Sequence, residues 1–445
     1  MDYTGRRIPE VQLVEQENLI RMPTMEEKGD KVRCLRCNEI HLKKTVQLPT
    51  GAYYCPSCIE LGRVSSNQLF YHKPSSPRQP LLSTLTWQGE LTQGQALISK
   101  QVVQMINEEK NLLVHAVTGA GKTEMIFEGI ERAFALGKRV GIAIPRVDVC
   151  LELYPRMKEA FDGVDICLLH GRSDEQFRDT PLVICMTHQL LRFYRHFDVC
   201  IVDEVDAFPF VYNQALAFAL KNALKEKASL IYLTATPTKE LMKRVRKKEL
   251  QYTALPARFH RKPLVEPRFL WCKNWRKVIE KKGLPKTLKK CMEQCIADDF
   301  PFLIFCPVIE LLEKLETAIR KAFPDLRFSC VSSIDPKRLE KVEKMRNHVY
   351  QMLVTTTILE RGVTFADVSV IILGANHKVY SPSSLVQISG RVGRKLSRSN
   401  GRLVYLHDGK TKAMVEAKRQ IQKMNQLARE MKLLDIAIDS KKKTI

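Results

Sequence analysis

The sequence predicts an α/β chain in which two parallel-sheet lobes stand in tandem behind a small N-terminal four-cysteine element. Three observations carry that reading. Short apolar runs alternate with longer stretches of helical spacing, and the alternation occurs twice between residues 85 and 410. Most of the runs are apolar on consecutive residues, the pattern of strands covered on both faces. Ahead of them lie two Cys-x-x-Cys pairs. At 445 residues the chain exceeds one core and suits two or three domains.

Residues 1–30 are polar without clear periodicity and read as a flexible N-terminal segment. Residues 31–64 hold Cys34-Leu-Arg-Cys37 and Cys55-Pro-Ser-Cys58. Each pair makes a turn that aims two thiolates at one point, and tetrahedral Zn²⁺ takes four, so a structural zinc site on Cys34, Cys37, Cys55 and Cys58 is expected. The other nine cysteines are scattered through apolar runs and read as buried hydrophobes in a reducing compartment. Residues 65–84, with Pro74, Pro77 and Pro80, have the composition of a linker.

The first lobe, 85–250, has expected strands at Leu112–Val117, Val140–Ile144, Ile166–His170, Leu182–Met186, Val199–Asp203 and Leu230–Ala235. A basic connector, 251–264, leads to the second lobe, 265–410. Its strands are expected at Phe302–Pro307, Arg327–Ser332, Gln351–Thr356, Ser369–Gly374 and Arg402–Leu406. Residues 411–445 read as an amphipathic helix and a tail ending in Lys441, Lys442 and Lys443.

Net charge is +23, from 72 Lys+Arg against 49 Asp+Glu. Such a surplus favours polyanions. It is clustered: residues 240–292 carry seventeen Lys/Arg against four Asp/Glu, interleaved with Tyr252, Phe259, Phe269, Trp271 and Trp275. Basic groups hold phosphates and aromatic faces stack on bases, so this stretch is a candidate nucleic-acid contact. The alternative is a solvated basic helix with core aromatics. Arg33, Arg36, Lys43 and Lys44 could touch DNA from the cysteine element, or simply solvate it. No apolar run reaches bilayer length and the N-terminus lacks a signal-peptide core, so a cytoplasmic location is expected.

The chemistry-bearing residues form a phosphate-binding constellation. Ala116-Val-Thr118-Gly119-Ala120-Gly121-Lys122-Thr123 follows an apolar strand and precedes a helical stretch, as a Walker A loop does. Its backbone N–H groups would converge on phosphates, Lys122 would reach the β and γ oxygens, and Thr123 would ligate Mg²⁺. Asp203 and Glu204 stand at the carboxyl end of a second apolar strand, where Asp203 would hold Mg²⁺ through water and Glu204 would polarise the attacking water. Arg391 and Arg394, three apart behind Gln387, would stabilise charge on the transferred phosphoryl group.

In order and spacing these segments resemble the superfamily 2 helicases and translocases. Thr118–Thr123 matches motif I, Asp203-Glu-Val-Asp206 is a DEAD-box variant, Thr234-Ala-Thr236 is motif III, Thr355–Gly362 fits motif V, and Gln387–Arg394 is motif VI. The resemblance implies two RecA-like lobes, with ATP hydrolysed between them and Thr234 and Thr236 coupling nucleotide state to strand contacts. Gln95 could read adenine as a Q-motif does, or be an ordinary surface residue. Within the superfamily, the run from Asp203 to Phe210 and the four-cysteine element resemble the ComFA family. That resemblance implies a DNA-dependent ATPase that drives single-stranded DNA inward during competence. It also implies a ComFC-like partner and a position at the inner face of the cell membrane. A PriA-like replication-restart helicase and an RNA helicase are the alternatives, and oligomeric state is not readable from the sequence.

Overall fold

The computed structural model describes residues 2–9, 19–171, 176–394, 396 and 399–435. The basic tail at Lys441–Lys443 lies outside them. The chain divides into two compact units: Met1–Leu91, Ala96–His115 and Lys122–Thr253 in one, Thr92–Gln95, Ala116–Gly121 and Ala254–Ile445 in the other.

Among the described residues the main strands form two sheets. One has the order Gln251–Leu255, Leu112–Ala116, Leu224–Thr234, Phe197–Val202, Val140–Ile144, Leu182–Met186, Ile166–Leu169. Its recorded pairings are parallel. The other has the order Arg268–Trp271, Leu403–His407, Ser369–Ile372, Phe302–Phe305, Met352–Thr355, Phe328–Val331, again all parallel. The strand Phe197–Val202 is buried at five of its six positions and Phe302–Phe305 at every position. That burial is why they read as unbroken apolar runs, and parallel pairing needs the helical crossovers that cover both faces. Strands Gln251–Leu255 and Arg268–Trp271 were hidden from sequence reasoning by the charges around them.

The N-terminal expectations need correction. Residues 1–30 are not a loose lead-in over their described part. Ile20–Pro23 pairs antiparallel with Leu69–His72, and Met25–Lys28 pairs with Lys31–Cys34. Gly5 and Arg7 donate backbone bonds to Lys73 and Arg192 at 2.8 Å each. Nor is 65–84 simply a linker, because Leu69–His72 is a strand within it. The four cysteines, Val64 and Phe70 share one buried apolar cluster with Phe193 and with Val183 and Phe197 of the adjoining sheet. The cysteine element is thus part of the first unit's core.

The aromatics of the basic stretch 240–292 divide. Trp275 is 4% exposed in the second sheet's core, and Phe269 stacks on Tyr405 with ring centres 5.4 Å apart. Trp271 and Phe259 are exposed. Among the described residues, no helix is long and apolar enough to cross a membrane.

Candidate active site and metal centre

The phosphate loop begins where strand Leu112–Ala116 ends. Val117 N–H donates to the Leu255 carbonyl at 3.1 Å and Ala120 N–H to the Val117 carbonyl at 3.2 Å. Gly119 takes φ +78° and Gly121 φ +73°, conformations in which an L side chain is strained. A 3₁₀ turn, Glu124–Ile126, then leads into helix Phe127–Ala135. Lys122 and Thr123 sit in the turn between loop and helix rather than inside a regular helix.

Gln95, 4% exposed, is built into this loop rather than lying on the surface. Its Oε1 accepts from Thr92 N–H at 2.9 Å, and its Nε2 donates to the Ala120 carbonyl at 2.9 Å. Arg258, 2% exposed, holds the same loop from another direction. Its Nε donates to the Thr118 carbonyl at 3.1 Å, and its other nitrogens donate to the carbonyls of Val392 (2.7 Å), Gly390 (3.3 Å) and Gly393. One planar fork therefore serves the phosphate loop and the Gly390–Gly393 turn together. Burial, with the nearby charge of Arg394, brings the Arg258 pKa down to about 9. Sequence reasoning missed Arg258 because it stands in a stretch dense with solvated Lys and Arg. The flanking Leu255-Pro256, closing a strand, was the available signal.

The acids end strand Phe197–Val202. Asp203 N–H donates to the Ala143 carbonyl at 3.1 Å, and Glu204 N–H donates to Asp203 Oδ1 at 2.8 Å. Glu204 is held at φ +50°, in the left-handed region that non-glycine residues seldom occupy. Burial pushes the Asp203 carboxyl up, against the pull of the Lys122 ammonium, and the Glu204 and Asp206 charges push it further. Phosphate-loop lysine and strand-end carboxylate are thus near enough to sense one another.

Asp206, 8% exposed, is the second residue that sequence reasoning left without a role. It accepts from Thr234 Oγ1 at 2.6 Å and from Thr236 Oγ1, and Thr236 N–H donates to Thr234 Oγ1 at 2.9 Å. The last acid of Asp-Glu-Val-Asp is therefore tied to both expected coupling threonines. Buried side-chain networks of this kind fix the spacing of the backbones that carry them.

Helix Pro382–Ser389 ends before the arginines, so Arg391 and Arg394 lie in the following turn and not on a helical face. Gln387 is buried in the helix. Arg391 is 1% exposed and donates to the Val363 carbonyl. Arg394 is half-buried, and donates to the Gly390 carbonyl at 3.1 Å and to Thr364 Oγ1 at 3.3 Å.

The four N-terminal cysteines are all buried, with their sulfurs within 4.8 Å of one another. Cys37 and Cys55 sulfurs are 3.5 Å apart, Cys34 and Cys58 3.9 Å, and His41 Nε2 lies 3.6 Å from Cys55. Tetrahedral Zn–S bonds place sulfurs about 3.8 Å apart, so the donor set fits zinc. Hydrogen bonds from the neighbouring thiols, Cys34 first, push Cys55 toward the thiolate that a metal needs. Cys34, Cys37, Cys55 and Cys58 are free thiols here and form no disulfide.

Residues 96–244 match the DEAD/DEAH box helicase family and 284–395 the helicase conserved C-terminal domain. The chain is 44% identical to the competence protein ComFA of Streptococcus pneumoniae over 432 residues, 96% of this chain and 99% of that one. It is 44% identical to the ComFA of Bacillus subtilis over 409 residues, 91% of this chain and 88% of that one. The structure of S. cerevisiae Dbp5 bound to RNA and ADP BeF3 matches with a TM-score of 0.56, over 74% of this chain and 87% of that one, at 15% identity. The last likeness shows the fold alone, two RecA-like lobes.

Proposed function

The chain belongs to the ComFA family of competence proteins, within the superfamily 2 helicase-like ATPases, and from that premise we propose that it is an ATP-driven translocase of single-stranded DNA acting in DNA uptake. Likeness over most of the chain to two competence proteins, joined to a phosphate loop bent at Gly119 and Gly121 and acids at a strand end, is the observation that carries this reading.

In the reaction, Thr118 to Thr123 cradle the triphosphate of ATP and Lys122 meets its β and γ oxygens. Thr123 and Asp203 would hold Mg²⁺, which when bound neutralises those oxygens. Glu204 orients a water and draws its proton. The water oxygen bonds to the γ phosphorus, the bond to the bridging oxygen breaks, and ADP and phosphate leave. Arg391 and Arg394 stabilise the charge on the transferred group, which their present bonds to Val363, Gly390 and Thr364 would have to release. Asp206, Thr234 and Thr236 pass the change at the acids to the strand-contacting surface. Zinc on the four cysteines is structural, since four sulfurs leave no open position. By family likeness the motor works beside a ComFC-like partner at the inner face of the membrane.

ATP turnover measured with single-stranded DNA, duplex DNA and RNA, beside a strand-displacement assay, tests this. Preferential stimulation by single-stranded DNA without strand displacement is expected, and Lys122→Ala should abolish turnover while DNA affinity stays within about threefold. Stimulation by RNA alone, or equal turnover in Lys122→Ala, would overturn the reading.

A further inference from the structure

Away from the ATP site, four arginines from three stretches of chain converge in the first unit. Arg6 and Arg7 come from the N-terminal stretch, Arg36 from between Cys34 and Cys37, and Arg192 from the 3₁₀ turn Thr187–Arg192. Arg6, Arg7 and Arg36 are 7%, 5% and 2% exposed, and Arg192 is half-buried.

Shared partners fix how close they are. Arg36 Nη1 donates to the Gly62 carbonyl at 2.9 Å, and Arg192 Nη2 donates to the Leu61 carbonyl next to it at 3.1 Å. Arg7 and Arg36 both lie over the Phe70 ring, 5.7 and 5.5 Å from its centre. Arg7 also lies 4.4 Å from the Tyr194 ring centre, and Arg6 stands 5.9 Å from that of the preceding Phe193. Burial, with the charges of Arg192 and Arg36 on Arg6 and of Arg36 on Arg7, lowers both to about 10, against the opposing pull of Asp2 on Arg6 and Tyr194 on Arg7.

Among the described residues no carboxylate is bonded to any of the four, and the Nε atoms of Arg6, Arg7 and Arg36 are buried without a hydrogen-bond partner. Asp2 acts on Arg6 from a distance, but its oxygens accept from the backbone N–H groups of Thr4 (2.8 Å) and Asp179 (3.1 Å). His72 faces the cluster with its Nδ1 against the Arg6 carbonyl, 3.0 Å away, and its own pKa is lowered chiefly by burial.

The balance of magnitudes is one-sided. An unpaired buried ion costs more than contacts with ring faces return. A cluster of guanidinium forks with spare N–H donors, and no bonded carboxylate among the described residues, suits a tetrahedral oxyanion, whose oxygens accept paired, charge-assisted bonds. We propose that Arg6, Arg7, Arg36 and Arg192 form a phosphate-class anion site where the N-terminal stretch, the four-cysteine element and the first sheet meet. The phosphate is either a nucleic-acid backbone phosphate or a free one, and the site makes anion occupancy part of how the cysteine element is held.

The test uses the full chain with zinc, and with ADP and Mg²⁺ saturating to occupy the phosphate loop. Inorganic phosphate is titrated against chloride at matched ionic strength while thermal unfolding is followed. Phosphate should raise the melting temperature saturably and chloride should not. Arg7→Gln and Arg36→Gln should each weaken the response at least about tenfold, the loss of one charge-assisted bond. If a twenty-nucleotide oligo-dT also loses affinity in both variants and is displaced by phosphate, the backbone is the source. If its affinity is unchanged, free phosphate is. Equal effects of phosphate and chloride, or a response that survives both substitutions, would overturn the site. Should a variant misfold, NMR of the arginine side-chain Nε–H groups in the wild type decides. A phosphate-specific shift of the exchange-protected signals supports the site, and its absence overturns it.

Discussion

Asp203, Glu204 and Asp206 on one side, and Arg391 and Arg394 on the other, differ in how far they are already built for their proposed work. The acids are set into fixed backbone: Asp203 is anchored to Ala143, Glu204 is held in a left-handed turn, and Asp206 is bound by two threonine hydroxyls. The arginines are instead engaged with carbonyls and a hydroxyl of their own unit. A motor of the proposed kind would gain from this asymmetry. Acids that hold metal and water need a preset geometry, while a cation that arrives only in one nucleotide state makes hydrolysis conditional on that state.

Glu204→Gln removes the base from the preset side. Turnover should fall by at least about 10² while ATP affinity is retained, as steady-state phosphate release and nucleotide-binding titration would read out. A wild-type rate would mean that another group positions the water. Arg258→Lys replaces the fork that serves four carbonyls with an ammonium that cannot match their plane. It should lower kcat about tenfold with KM within about threefold, because the loop still binds but the Gly390–Gly393 turn is no longer fixed to it. A rise in KM with kcat intact would make Arg258 a binding element instead. Asp206→Asn keeps one acceptor and loses the charge. Stability should drop by about 1–2 kcal/mol in urea unfolding, and the DNA-stimulated rate should fall more than the basal one. Cys34→Ser with Cys37→Ser should release zinc, seen by metal analysis, with the smallest direct effect on basal turnover. Should basal turnover vanish along with the metal, the cysteine element acts on the ATP site as well.

What could be read from the sequence was what is contiguous in it. The phosphate loop and Asp-Glu-Val-Asp each span a few residues whose spacing is itself the chemistry. Most strands were visible because a parallel sheet buries both faces. The rest depends on distance along the chain. Strand Ile20–Pro23 is completed by Leu69–His72, and nothing local announces that partner. Arg258 looked like one more charge in a basic stretch, and only burial against four carbonyls separates it from its neighbours. Arg6, Arg36 and Arg192 look ordinary one by one. Trp275 and Phe269 read as possible base-stacking faces and prove to be packed within the second unit, because aromatic side chains carry no mark of which surface they serve.

The shared cluster of the cysteines, Phe70 and Phe193 carries a consequence for how this protein fails. With zinc on the four thiolates, peroxide or a strong chelator would act on the sulfurs, and the first sheet would lose a covering wall. A version trimmed to begin at residue 85 would bare the same greasy surface and clump, so oxidative damage and careless truncation should look alike in the test tube.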